Sequence, residues 1–329
     1  MNKLLVFTLL MASSFGLNAQ LQRHNKVLKL MGSRFEITAY HEDPATAWNA
    51  INAGIAEITR IENLISSWDP NSQTSEVNSN AGIKPVIVDQ ELFDLITRSM
   101  RISKLTDGAF DISFASMDKI WKFDGSMKAM PSPSEIATAA SKIGFEKIEL
   151  NAETKSVFLK EAGMKIGFGA IGKGYAAQKA KEKMESMGIK SGVVNASGDL
   201  IAWGKATNGD DFRIAIADPK NKEEILCWLN ATNTSIVTSG NYEKFVMFDD
   251  IRYAHIIDPR TGYPTTGLKS VTIICANPEL ADALATSVFV LGQEKGLKLI
   301  NQLKGIECLM ITDNDELIGS DNLIMNKNL

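Results

Sequence analysis

Two side chains four residues apart, Asp282 and Thr286, stand in the segment Glu279-Leu-Ala-Asp-Ala-Leu-Ala-Thr286. On a helix that spacing puts both oxygens on one face. The neighbours Leu280, Ala281, Ala283, Leu284, Ala285 and Val288 are apolar, which sets the pair beside a core. A carboxylate and a hydroxyl are hard oxygen donors suited to Mg²⁺, which takes few protein ligands and fills its shell with water and substrate phosphates. The competing arrangement has Thr286 bonded to its own helix backbone and Asp282 on the solvent face, and spacing alone does not choose between them. The chain holds three histidines, and His255, in His255-Ile-Ile-Asp258-Pro-Arg-Thr-Gly262, is the acid/base candidate, at the end of an expected strand and near Asp258. By pattern alone an ordinary packed histidine remains the better account of it.

Gly167-Phe-Gly169-Ala-Ile-Gly172 matches G-x-G-x-x-G ahead of an expected helix. A dinucleotide fold would need alternating strands and helices and an acidic residue about 20 positions on. Only a short strand, Met164–Ile166, is expected before the glycines, and the acidic residue Asp199 lies 27 beyond Gly172. The milder reading is a backbone able to approach a ligand and a helix start offering N–H groups to a phosphate. A purely structural turn is the alternative. Thr238-Ser239-Gly240-Asn241-Tyr242 lacks the glycine two residues before the serine that a nucleophile elbow requires, which excludes a hydrolase triad built on it.

These groups need elements to hold them. Residues 26–40 read as strand, turn, strand about Met31-Gly32-Ser33. Asp43-Pro44 opens a helix whose Trp48, Ile51, Ile55, Ile58, Ile61 and Ile65 bury one face to about Ser66. The polar stretch Ser67 to Gly82 reads as a long loop, the kind that often carries function. Helices are expected from about Asp89 to Leu105 and from Ser134 to Ile143, then at 172–187, 279–291 and 294–303. Strands are expected at Lys147–Leu150, Ser156–Leu159, Gly192–Val194, Phe212–Ala217, Ser235–Thr238, Arg252–Ile257 and Ser270–Cys275. This mixture, without an internal repeat or a linker, predicts one composite α+β domain with two lobes.

Composition agrees with a globular chain: 329 residues, 44% hydrophobic and 22% charged, enough apolar material for a core. The net charge of −4 argues against a nucleic-acid binder, whose footprint is a basic face. Three widely spaced cysteines, Cys227, Cys275 and Cys308, supply neither a disulfide framework nor a C-x-x-C metal motif. Residues 1–19 have the layout of a secretory signal peptide: Lys3, an uncharged run from Leu4 to Leu17, and a small residue at Ala19. The run is short for a membrane span, an uncleaved anchor being the alternative. No cysteine near Ala19 marks a lipoprotein. The expected product is residues 20–329, exported to the periplasm or the periplasmic face of the inner membrane.

The motifs together resemble the bacterial ApbE family of FAD:protein FMN transferases. In order along the chain they are Met31-Gly-Ser, Ser66-Ser-Trp68-Asp-Pro, Thr106-Asp-Gly-Ala-Phe-Asp111, Trp121-Lys-Phe123, Gly169-Ala-Ile-Gly-Lys-Gly174, Val194-Asn-Ala-Ser-Gly-Asp199, Thr238-Ser-Gly240, His255 to Gly262 and Ala281-Asp-Ala-Leu-Ala-Thr286. Each is short, but nine in order cover nearly all of the mature chain.

The resemblance implies an α+β, T-fold-related domain and a Mg²⁺-dependent reaction on FAD. In that reaction FMN is attached through its phosphate to a threonine or serine of an exported flavoprotein, and AMP leaves. It implies metal ligands at Asp282, Thr286 and the carbonyl of Ala170, with that of Ala285 close by. Flavin contacts are implied at Met31, Trp68, Ala109, Phe110, Asp111, Lys173 and Ile257, with His255 near the reacting phosphates. Trp68 would stack on a flavin or adenine ring, a core tryptophan capping the first helix being the alternative. The implied acceptor carries an Asp/Ser-Gly-Ala-Thr-like motif, as in subunits of membrane redox complexes. Gly167, Gln73, Ser197 and Asn241 depart from the family pattern, where aspartate, glutamate, glycine and aspartate are common. A Mg²⁺-dependent FAD pyrophosphatase and a non-catalytic flavin-binding protein are the competing functions.

Overall fold

Met31 and Gly32 both take positive φ, 48° and 72°, so the chain reverses in two residues and β1 (Gln22–Leu30) pairs antiparallel with β2 (Ser33–His41). Such left-handed turns match the twist of hairpin strands, and glycine tolerates them without cost. This is the expected strand–turn–strand. The structure is a computed structural model, and it describes residues 20–217, 224–241 and 245–327. The expected signal peptide, residues 1–19, lies outside the described residues.

Helix α1 (Pro44–Ile65) begins as expected, with the Asp43 carboxylate accepting from the N–H groups of Ala45 and Thr46. Its buried Ala47, Ala50, Ile51, Gly54, Ile58, Ile61 and Ile65 follow the three- and four-residue steps of one face. Each fully buried isoleucine contributes about 1.5–3 kcal/mol. The loop after it holds a helix that the sequence did not announce, α2 (Gln73–Ser79), capped by Ser72. Strand β3 (Val86–Ile87), α3 (Gln90–Leu105) and α4 (Pro133–Ala140) follow, then β4 (Ile148–Asn151) and β5 (Ser156–Leu159), which form a small sheet with β3. Residues 164–166, expected as a strand, are irregular. Their backbone is bound crosswise instead, to Asn78 and Ser116. No strand feeds the glycine turn, which removes the remaining support for a Rossmann unit.

The second half supplies α5 (Gly172–Ser186), β6 (Ser191–Ala196), β7 (Asp199–Trp203), β8 (Phe212–Ala217), β9 (Ile225–Ala231), β10 (Thr234–Gly240), β11 (Phe245–Phe248), β12 (Ile251–Ala254) and β13 (Leu268–Cys275). It ends with α6 (Pro278–Asn301), β14 (Glu307–Thr312), β15 (Leu317–Gly319) and β16 (Asn326–Lys327). Gly292, at φ 75° and ψ 179°, breaks α6, so the two expected helices are two arms of one element.

The main sheet has the order β1-β2-β6-β7-β10-β13-β14-β15, with antiparallel neighbours throughout. One face carries the helices: α1 packs on α5, α5 on α6, and α6 on β10 and β13. On the opposite face lies the sheet β16-β9-β8, whose Phe212, Cys227 and Leu229 meet Leu200, Ala202, Ile236 and Leu309 of the main sheet. Successive residues of a strand point to opposite faces, so in β7 Ile201 and Trp203 enter the helix-side core while Leu200 and Ala202 enter the other. The architecture is α+β, as expected. Among the described residues no helix is long and apolar enough to cross a membrane.

Candidate active site

The first turns of α5 and α6 meet at Gly174. A Cβ placed there would stand 2.1 Å from the Pro278 carbonyl oxygen and 2.8 Å from the Asp282 Cβ. The missing side chain lets the Gly174 N–H donate to Asp282 Oδ2 at 2.9 Å. The Lys173 N–H also donates to this carboxylate. Asp282, on α6, therefore caps α5, whose own N-cap residue Ile171 makes no side-chain cap bond. The expectation that these N–H groups serve a phosphate is corrected: a carboxylate takes two of them.

Asp282 is only 5% exposed, so the solvent-facing arrangement does not hold. Nor does Thr286 bond its own backbone, as Ser287 does to Ala283 O at 2.6 Å. The Thr286 hydroxyl instead lies 3.3 Å from Ser239 Oγ at the end of β10. Asp282 and Thr286 both line a cavity of about 720 Å³, within the range of small-molecule sites. Ala170, Lys173, Asp199, Ser239 and Ser197 line it too.

Asp199 is the residue that sequence reasoning did not assign. It opens β7 just after the Ser197-Gly198 turn, is 2% exposed, and is ion-paired through Oδ2 to Lys173 Nζ. Burial raises its pKa and the ammonium opposes that shift. Asp282 is pushed up to about 8, by burial first and the Asp199 charge second, against Lys173 and the two N–H groups. Lys173 is thus paired with Asp199, and among the described residues Asp282 has no ion pair of its own to hold its charge, so at neutral pH its acid form is favoured. A divalent cation among these oxygens would take the place of the proton on Asp282. The donors fit such an ion: the carboxylate of Asp282, the hydroxyl of Thr286 and the carbonyl that Ala170, a lining residue, carries are all hard oxygens. Among the described residues there is no cluster of three or more His, Cys, Asp or Glu able to hold a metal, so backbone and hydroxyl oxygens would complete the shell.

The remaining expected residues divide. Trp68, Ala109, Phe110, Asp111, His255 and Ile257 all line the same cavity. Trp68 is 80% exposed with Lys119 Nζ 4.7 Å from its ring centroid, so it is no core residue capping α1. The Asp111 carboxylate is largely occupied: it accepts from Ser113 N at 2.7 Å, Ser113 Oγ at 2.6 Å and Phe145 N at 2.8 Å, tying two loops together. Burial raises its pKa against those bonds. His255 follows β12, is exposed, and meets the Phe123 ring edge-on at 6.5 Å, which excludes the packed histidine. Its expected neighbour Asp258 is gripped by Arg260, at 2.8 and 2.7 Å. Met31 and Ala285 do not line the cavity. Met31 donates its N–H to Glu62 at 3.0 Å beside the core, and Ala285 is fully buried within α6. At Gly167 a Cβ would stand 3.0 Å from the Ala115 Cβ, so an aspartate there would crowd this wall.

The model of the ApbE family matches residues 31–310. The FAD:protein FMN transferase of Klebsiella pneumoniae (strain 342) is 31% identical over 88% of this chain and 90% of its own length. That of Treponema pallidum (strain Nichols) is 29% identical over 97% and 93%. The crystal structure of the ApbE protein from Thermotoga maritima superposes with a TM-score of 0.82 at 28% identity, covering 91% of this chain and 97% of that one. The flavin transferase ApbE from Vibrio cholerae shares the fold, with a TM-score of 0.81 at 23% identity over 92% and 98%. With the match spanning the helices, the sheet and every wall of the cavity, this chain belongs to the ApbE family.

Proposed function

We propose that this protein is a Mg²⁺-dependent FAD:protein FMN transferase, joining FMN through its phosphate to a threonine or serine of an exported flavoprotein and releasing AMP. The observation that carries the reading is that Asp282, Thr286, Ala170 and Lys173 line one cavity together with the exposed Trp68 and His255.

In this account Asp282, Thr286 and the Ala170 carbonyl would hold the ion, while Ala285, buried behind Thr286, would serve only through its main chain. When bound, Mg²⁺ neutralises pyrophosphate charge, which dominates the barrier to phosphoryl-type transfer. Lys173, which lines the same cavity, adds a second positive charge, its direction set by Asp199. Phe110 and Ala109 form an apolar wall for the flavin, and Trp68 offers a ring face to a planar heterocycle. Ile257 lines the cavity, and Met31 packs against the core outside it. His255, exposed beyond β12, meets an acceptor hydroxyl arriving from solvent and takes its proton as the oxygen bonds to the FMN phosphorus. The bond from that phosphorus to the AMP oxygen breaks, and AMP departs with the electron pair.

Exposure of Trp68 and His255 favours a macromolecular acceptor such as a membrane redox-complex subunit with an Asp/Ser-Gly-Ala-Thr-like motif. Residues 1–19 act as the cleaved leader of a periplasmic, non-lipidated protein, and 20–329 as one two-lobed transferase domain. Intact mass of protein expressed with its own leader tests export, a retained Met1–Ala19 segment contradicting it. Incubation with FAD, Mg²⁺ and an acceptor tests the reaction. Covalent fluorescence on the acceptor in a denaturing gel, with AMP released, is the expected result. Free FMN plus AMP would mean a pyrophosphatase, and unchanged FAD a binding protein. Asp282→Ala should abolish turnover.

A further inference from the structure

Ser239 does not fit a nucleophile elbow, yet it lines the cavity. Residues 237 and 239 of β10 share a face, and Val237 belongs to the core cluster built with α6. Ser239 therefore shares with Val237 the face of β10 turned to α6, and its Oγ reaches Thr286 Oγ1 at 3.3 Å.

The rotamer of Thr286 is informative. Several hydroxyls inside the longer helices turn back to the carbonyl four residues earlier, Thr59 to Ile55 at 3.0 Å, Thr97 to Phe93 at 2.8 Å and the adjacent Ser287 to Ala283 at 2.6 Å, while Ser99 does not. Thr286 turns away from its backbone toward β10. A neutral hydroxyl that gives a lone pair to a cation must direct its proton elsewhere, and a hydroxyl has one proton and two lone pairs. The Ser239 oxygen is the acceptor within reach. A cation withdraws electrons from a bound hydroxyl, which strengthens its donation, so the 3.3 Å contact is expected to shorten on loading.

We propose that Ser239 is a positioning residue of the divalent-cation site: its Oγ accepts the Thr286 proton and so turns a Thr286 lone pair toward the ion. The inference rests on Asp282 and Thr286 being the ligands, as read above. Residues that orient a metal ligand typically cost 10–100-fold in affinity when removed.

The test is Mn²⁺ binding to the mature protein without FAD, followed by calorimetry and by the spin-resonance signal of free Mn²⁺. Ser239→Ala should weaken binding at least about 10-fold, and Ser239→Thr, which keeps the oxygen, should restore it. Because Ser239 acts through Thr286, Ser239→Ala should cost nothing further in a Thr286→Val background, the non-additivity expected of coupled groups. Wild-type affinity in Ser239→Ala, or a full additional loss on top of Thr286→Val, overturns the proposal. Asp282→Ala separates the two levels. If it loses Mn²⁺ while Ser239→Ala does not, only the role of Ser239 fails. If it binds Mn²⁺ like the wild type, the ligand assignment fails with it.

Discussion

Replacing Gly174 by alanine sets two effects of opposite sign against each other. Helix propensity alone predicts that alanine stabilises α5 by about 1 kcal/mol. The new Cβ, however, would lie 2.1 Å from the Pro278 carbonyl oxygen, 2.7 Å from its carbon and 2.8 Å from the Asp282 Cβ. Two of these are backbone atoms at the start of α6 and cannot rotate away, so the helices must separate. Overpacking of this kind costs about 1–3 kcal/mol, and the severity of the clash places it at the upper end. Separation also stretches the 2.9 Å bond from Gly174 N to Asp282, worth about 1 kcal/mol. The net expectation is a loss of about 2–3 kcal/mol in unfolding free energy. Urea denaturation followed by circular dichroism reads it directly, with Gly169→Ala as the control. No atom lies within 4 Å of a Cβ at Gly169, so that variant should stay within about 0.5 kcal/mol. A Gly174→Ala protein as stable as the wild type would refute the close helix contact and the capping of α5 by Asp282.

Three further outcomes follow from the same geometry. His255→Ala should slow transfer by about 10²–10⁴ while FAD affinity, read by fluorescence titration, stays within a few-fold; unchanged turnover would remove His255 from the mechanism. Arg98→Ala strands Glu279, 9% exposed and bound at 2.6 and 3.1 Å, at the start of α6. Because Arg98 is itself 40% exposed, the expected destabilisation is about 1–3 kcal/mol rather than the full cost of a broken buried pair, and a variant of wild-type stability would contradict it. The Glu91 carboxyl is held below its ordinary 4.5 by hydrogen bonding to Arg60, against burial, with a further bond from Tyr175. Its contribution is therefore present above pH 4.5 and lost as pH falls through the lower folded value. Glu91→Gln should destabilise at neutral pH with the gap closing in acid, and a gap independent of pH would be the wrong result.

Much of the frame was legible because its apolar residues repeat with the period of one exposed face. The isoleucines of α1 and the Met31-Gly32 turn are such cases, and the break in α6 falls between the two segments expected there. Elements covered on both sides were not. Asp199-Leu-Ile-Ala-Trp203 and Glu307-Cys-Leu-Met-Ile-Thr312 are strands without alternation, because cores lie on both faces of the main sheet. Helix α2 is made of polar residues and starts from a serine cap, so it read as loop. The pair Asp282 and Thr286 could be found because both oxygens sit within one helical turn and an apolar setting. Asp199 could not be found so easily: its ion pair with Lys173 spans 26 residues and depends on a hairpin turn for its direction. Its place in the motif Val194-Asn-Ala-Ser-Gly-Asp199 was the available signal. The glycine turn was read as open to phosphate because nothing local reveals a carboxylate arriving from α6 to take its N–H groups.

The central claim is that one divalent ion sits between α5 and α6 where FAD phosphates can reach it. Crystals grown with FAD and Mn²⁺, measured at the manganese absorption edge, test it most directly. The account predicts a single anomalous peak in contact with the Asp282 carboxylate, the Thr286 hydroxyl and the Ala170 carbonyl, with pyrophosphate oxygens on its open side. A peak elsewhere in the cavity, or bound FAD with no peak beside Asp282, would contradict it.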